Sequence, residues 1–369
     1  MDRRGFLTGV GVVGLGALVG CSNDDPDPSP STAATSASPS TSGPTPAQSV
    51  DPVVADTIAD GINVPWGIAF LKTGEALVSQ RDAREVVRVA PDGKKTTIGA
   101  VEGGNPSQAG EGGLLGIALD PKDPTQLYAY ISTASDNRIL RLAYDGRRLS
   151  DPKTILTGIP VGQNHNGGRL VFGPDDALYV STGEAGDPDL AQDKKSLGGK
   201  VLRITRDGKA SNGNPFDSPV WSYGHRNVEG LTFDAEGRLW AAEFGDKTTD
   251  ELNLVRRGRN YGWPEVEGPS DDDAFTDPSA TWTTDECSPA SVAVTRSHAF
   301  LGALKGESLW VVPLDGSRAG EPKRFLQGEY WRLRTVAVAP SGDLWLTTSN
   351  TDGRSTPGRD DDRILRVTL

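Results

Sequence analysis

The sequence predicts an all-β fold, a six-bladed β-propeller closed by an N-terminal strand, on three observations. Forty-five Gly and 26 Pro, against one Met and 36% hydrophobic residues in 369, favour short strands and frequent turns over a helical bundle. A phrase recurs along residues 50–369: an apolar triplet, a turn with Asp, Gly or Pro, a second β-rich run, and a third run that often ends in Asp-Gly. The phrase returns every 44 to 61 residues in a common register, which suggests propeller blades and disfavours a stack of β-sandwich domains.

The triplets end at Phe70, Leu119, Phe172, Phe233, Val294 and Val338. The third runs are VVRVAPDG, ILRLAYDG, VLRITRDG, LNLVRRG, LWVVPLDG and ILRVTL, where β-branched residues alternate with polar ones as in half-buried strands. The last repeat stops after its third run at Val367, whereas the β-rich stretch Val53 to Ile58 has no blade of its own. This N-terminal strand is expected to complete the sixth blade, which closes the ring and protects its edges.

Residues 1–21 have the form of an export signal: Arg3-Arg4, then an apolar run from Phe6 to Val19 shorter than the roughly 20 residues that cross a bilayer. Arg3-Arg4-Gly5-Phe6-Leu7 resembles a twin-arginine signal, and Leu18-Val19-Gly20-Cys21 resembles a bacterial lipobox, with Cys21 as the lipidated residue. Residues 22–49 are mostly Ser, Thr, Pro, Ala and Asp, with too little apolar surface to offset the entropy of ordering, and are expected to form a flexible spacer. The protein is thus expected to be exported and lipid-anchored at the extracytoplasmic face of the cell membrane.

A net charge of −12 argues against nucleic acid as a partner. Two cysteines and three histidines exclude a Cys-built zinc or iron–sulfur centre and disfavour imidazole-rich metal sites. Cys287 is expected to be a buried core residue, as are most of the tryptophans. His298 and Asp360–Asp362 are expected in solvated turns, and Asp187, Asp189 and Asp193 are a candidate structural calcium site.

In a blade, residues entering the first strand and residues leaving the second share one face of the ring. His165 lies seven residues before Phe172 and Arg226 seven before Phe233. Arg332 and Arg334 lie six and four before Val338, Lys305 eleven after Val294, and Phe244 eleven after Phe233. Residues from four blades therefore converge at one end of the channel. Four cations gathered there call for a ligand with several negative charges, and His165 is placed to act as a general base. His225 is expected to orient its loop.

The stretches EGGLLGIALDP, GQNHNGGRL, LGGKVLRI, YGHRNVEGL, DELNLV and NYGWPEVEG resemble the soluble pyrroloquinoline-quinone (PQQ)-dependent glucose/sorbosone dehydrogenases, in their aldose sugar dehydrogenase branch, over roughly residues 60–369. The resemblance implies oxidation of aldose sugars to lactones, with hydride passing to PQQ and electrons then to an external acceptor. It implies His165 as the base that takes the anomeric proton, and Arg226 with Asn227 beside the quinone. Lys305, Arg332 and Arg334 would contact the cofactor's carboxylates, and Ca2+ would sit on the main-chain carbonyls of Gly245 and Asp246. Three positions depart from the family pattern: Glu229, Phe244, which would meet the cofactor's flat face, and Asp246. Two other readings compete: a metal-dependent lactonase, disfavoured by a converging set poor in carboxylates, and a binding propeller with a degenerate cofactor site.

Overall fold

The computed structural model of the protein describes residues 49–102 and 110–369. The expected leader (1–21, with Cys21) and the spacer up to residue 48 lie outside the described residues. The rest forms six small antiparallel sheets arranged as a six-bladed propeller. Their first strands, Pro65–Phe70, Leu114–Leu119, Leu170–Phe172, Asn227–Phe233, Pro289–Thr295 and Leu333–Val338, define blades one to six. Each contains one of the expected triplets. In blade five two short segments, Arg318–Ala319 and Lys323–Phe325, share the outer edge of Ser308–Asp315.

The ring closes as the sequence predicts. Val53–Ala59 pairs antiparallel with the last strand, Ile364–Thr368, and completes the sheet of blade six. Alternating strand residues pack in layers between neighbouring blades: Leu77 and Val86 meet Leu114 and Leu127 between blades one and two, and Ile58 and Trp345 meet Val78 and Val87 across the closure. Loss of the N-terminal strand would thus uncover one of these interfaces as well as a sheet edge.

Backbones approach closely around the channel, which the first strands line. A Cβ on Gly116 would stand 2.2 Å from the Gly168 carbonyl, and one on Gly230 would stand 2.7 Å from the Val292 amide. The channel itself is spanned by Arg169, which precedes the first strand of blade three. Its guanidinium donates to the carbonyls of Glu229 (2.9 Å), Trp66 (3.2 Å) and Ala290 (3.2 Å) and to Thr335 Oγ1 (3.3 Å). One planar, five-donor group thereby ties blade three to four others.

Two local expectations are corrected. His298 is buried at the start of the strand His298–Ala303, its Nδ1 2.7 Å from the Arg296 carbonyl. Asp362 is fully buried and accepts hydrogen bonds from Thr348 Oγ1 (3.0 Å) and the Asn350 amide (2.5 Å). The hairpin turn falls on residues 296–297, just before His298. Asp360 lies in an exposed turn as expected, but Asp362 folds back to cap the start of the same loop at Asn350. Cys287 is buried as expected, and burial pushes its thiol well up.

Candidate functional site

A cavity of about 400 Å3 opens at the end of the channel where first strands begin and second strands finish. His165, Arg226, Asn227, Phe244, Lys305 and Arg332 all line it. The register explains why: Asn227 and Phe244 are cross-strand partners at the same end of blade four. Arg334 does not reach the wall. It is buried just beneath, with Nη1 2.7 Å from Glu229 Oε2 and Nε 3.0 Å from Ser349 Oγ.

His165 sits in a left-handed backbone conformation (φ 55°). Its Nδ1 is 2.8 Å from Glu184 Oε1, and its amide donates to Glu111 Oε2 at 2.9 Å. A carboxylate against Nδ1 holds the proton there and leaves the Nε2 lone pair available to a ligand. Glu184 is buried, and its other oxygen accepts the Gly186 amide at 2.5 Å. Sequence reasoning missed Glu184: the offset of eleven that selected Phe244 and Lys305 falls on Gly183 in blade three, one residue short of it. His225 repeats the arrangement in the core, clamped between Glu243 (2.7 Å) and Ser222 (2.8 Å) and stacked on Tyr261. With both ring nitrogens engaged and no exposed surface, its role is to orient the Gly224–Asn227 segment.

The converging cations are not alone: each has a carboxylate partner, although among the described residues Glu111 is the one carboxylate on the cavity wall, which is as carboxylate-poor as expected. Arg226 pairs with Asp246 (3.1 Å), Arg332 with Asp352 (2.9 Å), Arg334 with Glu229 (2.7 Å) and Lys305 with Asp285 (2.5 Å). Arg354, also on the cavity wall and unanticipated, pairs with Glu111 (2.7 Å). Burial alone would raise Asp352, but Arg332 and Arg334 hold it below the usual carboxylate range. Lys247, followed by Arg226, does the same for Asp246, whereas burial raises Glu229 even against Arg334. Glu229 is thus spent inside the wall on Arg334 rather than aimed at a ligand.

The pairs fix the guanidinium planes and still leave donors. Four cations and one carboxylate line the cavity, and Arg226 Nε is buried without a partner. A flat ligand with several carboxylates meets these demands, with Phe244 as an apolar contact. Beside it the amides of residues 246 to 249 converge on Glu267 Oε1 at 2.7 to 3.1 Å. Among the described residues neither the Gly245 nor the Asp246 carbonyl accepts a hydrogen bond. These oxygens, with the Asp246 carboxylate, suit a hard cation such as Ca2+. No group of three His, Cys, Asp or Glu side chains among the described residues is placed to hold a metal.

Comparison with known proteins bears on what such a cavity serves. The profile of the Glucose / Sorbosone dehydrogenase family matches residues 62–364. The chain belongs to this family of sugar oxidoreductases. The PQQ-bound aldose sugar dehydrogenase of Streptomyces coelicolor superposes with a TM-score of 0.83 at 52% identity, over 86% of this chain and 97% of that one. An aldose sugar dehydrogenase of Escherichia coli is 28% identical over 82% of this chain and 91% of its own length. Quinoprotein glucose dehydrogenase B of Acinetobacter calcoaceticus is 31% identical over 59% of this chain and 54% of its own.

Proposed function

We propose that the protein oxidises aldose sugars to lactones with PQQ and Ca2+, and passes the electrons to an external acceptor. The observation that carries this reading is the convergence of His165, oriented by Glu184, with three of the four expected cations on one cavity wall. Arg226, Asn227, Lys305 and Arg332 would hold the cofactor, with Arg334 supporting them from below. Gly245 and Asp246 would hold the metal. When bound, the quinone supplies a two-electron acceptor and the metal polarises it.

The chain's own residues do the rest. Glu184 keeps the His165 proton on Nδ1, so Nε2 accepts the proton of the sugar hydroxyl, and the resulting imidazolium is stabilised by the carboxylate behind it. The Glu111 contact to the His165 amide holds the ring's loop in its strained conformation. Arg226, anchored by Asp246, offers positive charge where negative charge develops on the acceptor. We further propose that the twin-arginine and lipobox segments export the protein and tether it by Cys21 to the membrane. Incubation of apo-protein with PQQ and Ca2+, followed by dye reduction with a panel of aldoses, tests the activity. Sugar-dependent reduction is expected in the wild type; His165→Ala should retain the cofactor and lose turnover.

A further inference from the structure

The stretch LGGKVLRI contributes a residue that the proposed chemistry does not use. Lys200 is fully buried, and among the described residues no carboxylate stands within ion-pair distance of its Nζ. Its Nζ donates instead to three main-chain carbonyls, those of Leu190 (2.6 Å), Ala191 (2.9 Å) and Gly198 (2.6 Å). Three acceptors require three hydrogens on one nitrogen, which only the protonated amine supplies. Burial works against that charge and lowers the amine to about 7 from 10.5, even with the Asp193 carboxylate favouring it; the carbonyl cage works for it. This is how a protein surrounds a metal ion with oxygen, except that the cation is part of the chain.

The cage lies on the segment that carries Glu184. A hydrogen-bonded relay runs along it: the Glu184 carbonyl accepts the Asp187 amide (3.1 Å), the Asp187 carbonyl accepts the Leu190 amide (3.2 Å), and the Leu190 carbonyl accepts Lys200 Nζ. The Ala191 carbonyl takes the Gly224 amide (2.9 Å) as well as Lys200, and the Gly199 carbonyl takes the His225 amide (3.2 Å). Lys200 thus grips both the Glu184 loop and the start of the Gly224–Asn227 segment. The loop that holds the candidate calcium residues Asp187, Asp189 and Asp193 turns the Leu190 and Ala191 carbonyls onto an ammonium.

We infer that Lys200 is a tethered structural cation, a positioning residue that shapes residues 184–199 and thereby keeps Glu184 against His165. The inference rests on His165 being the proton acceptor, but its test does not need activity. Three histidines make a simple nitrogen NMR spectrum of the full chain without cofactor. In the wild type His165 shows one tautomer, protonated at Nδ1. In Lys200→Met it becomes a mixture of tautomers, while His298 in blade five is unmoved. Turnover of the loaded enzyme falls about 100-fold, the cost of a misplaced catalytic group. Lys200→Ala leaves a cage that free ammonium can enter, so ammonium chloride restores the His165 signal and equal sodium chloride does not. A wild-type His165 signal in Lys200→Met overturns the inference. If that variant fails to fold, Lys200→Ala decides: ammonium-dependent folding supports a cation in the cage, and indifference to ammonium overturns it. Absence of sugar oxidation in the wild type would defeat the functional reading and leave this measurement intact.

Discussion

Replacing Glu184 by Gln changes one atom and should remove the proposed base. Glu184 accepts twice in the structure, from His165 Nδ1 at 2.8 Å and from the Gly186 amide at 2.5 Å. Gln has one acceptor and one donor at these positions. Its NH2 cannot face the Gly186 N–H at such a distance without a donor–donor clash, so its oxygen turns there and its NH2 turns to His165. Nδ1 must then accept, which moves the ring proton to Nε2 and leaves no lone pair for the sugar hydroxyl. A positioned general base contributes about 10²–10⁴ in rate, equivalent to roughly 3–5 kcal/mol of barrier. Stability falls less, by about 1.5–3 kcal/mol for the lost charge-assisted bonds. The assay is steady-state dye reduction on the reconstituted enzyme, with cofactor affinity titrated separately and expected within about threefold of wild type. A rate loss below about tenfold with the cofactor bound would refute the assignment of His165 and Glu184 as a unit.

Other outcomes follow from the same contacts. Arg226→Ala removes the guanidinium that faces the cavity, and charged hydrogen bonds of about 1.5–3 kcal/mol correspond to a PQQ affinity lower by about 10–100-fold, read by fluorescence titration. Glu229→Leu leaves Arg334 buried without its carboxylate, and urea unfolding should show a loss of about 3–5 kcal/mol. Burial, with Glu243 beside it, raises Glu251 to about 8 from 4.5. The folded protein therefore holds a proton that the unfolded chain releases, and stability falls as pH rises from about 4.5 to about 8. Glu251→Gln should flatten that decline in thermal unfolding measured across the range; an unchanged decline would remove Glu251 as its source.

The blades were legible because their determinants are local. Triplet, turn and third run repeat within one blade, and every triplet and third run falls in the expected strand, as does the closing strand Val53–Ala59. The common register also placed His165, Arg226, Phe244, Lys305 and Arg332 on one wall, whereas Arg334, grouped with them, is buried beneath it; Asn227 came from the family resemblance. What stayed hidden is pairing across the ring. Glu229 meets Arg334 over 105 residues and Glu111 meets Arg354 over 243; no spacing rule foretells such partners, because only the closed ring brings their loops together. Lys200 escaped for a different reason: its partners are carbonyls, whose direction is set by backbone turns that side-chain patterns do not encode.

The central claim is that the cation-lined cavity binds PQQ in the orientation that sugar oxidation requires. It is tested most directly by titrating the apo-protein with PQQ and Ca2+ while recording the cofactor's absorbance, then adding an aldose to the same sample. The account predicts saturable spectral change at one PQQ per chain, weakened in Arg226→Ala, followed by sugar-dependent bleaching that His165→Ala abolishes. A cofactor spectrum that the protein leaves unchanged, or one that changes identically in Arg226→Ala, would contradict it.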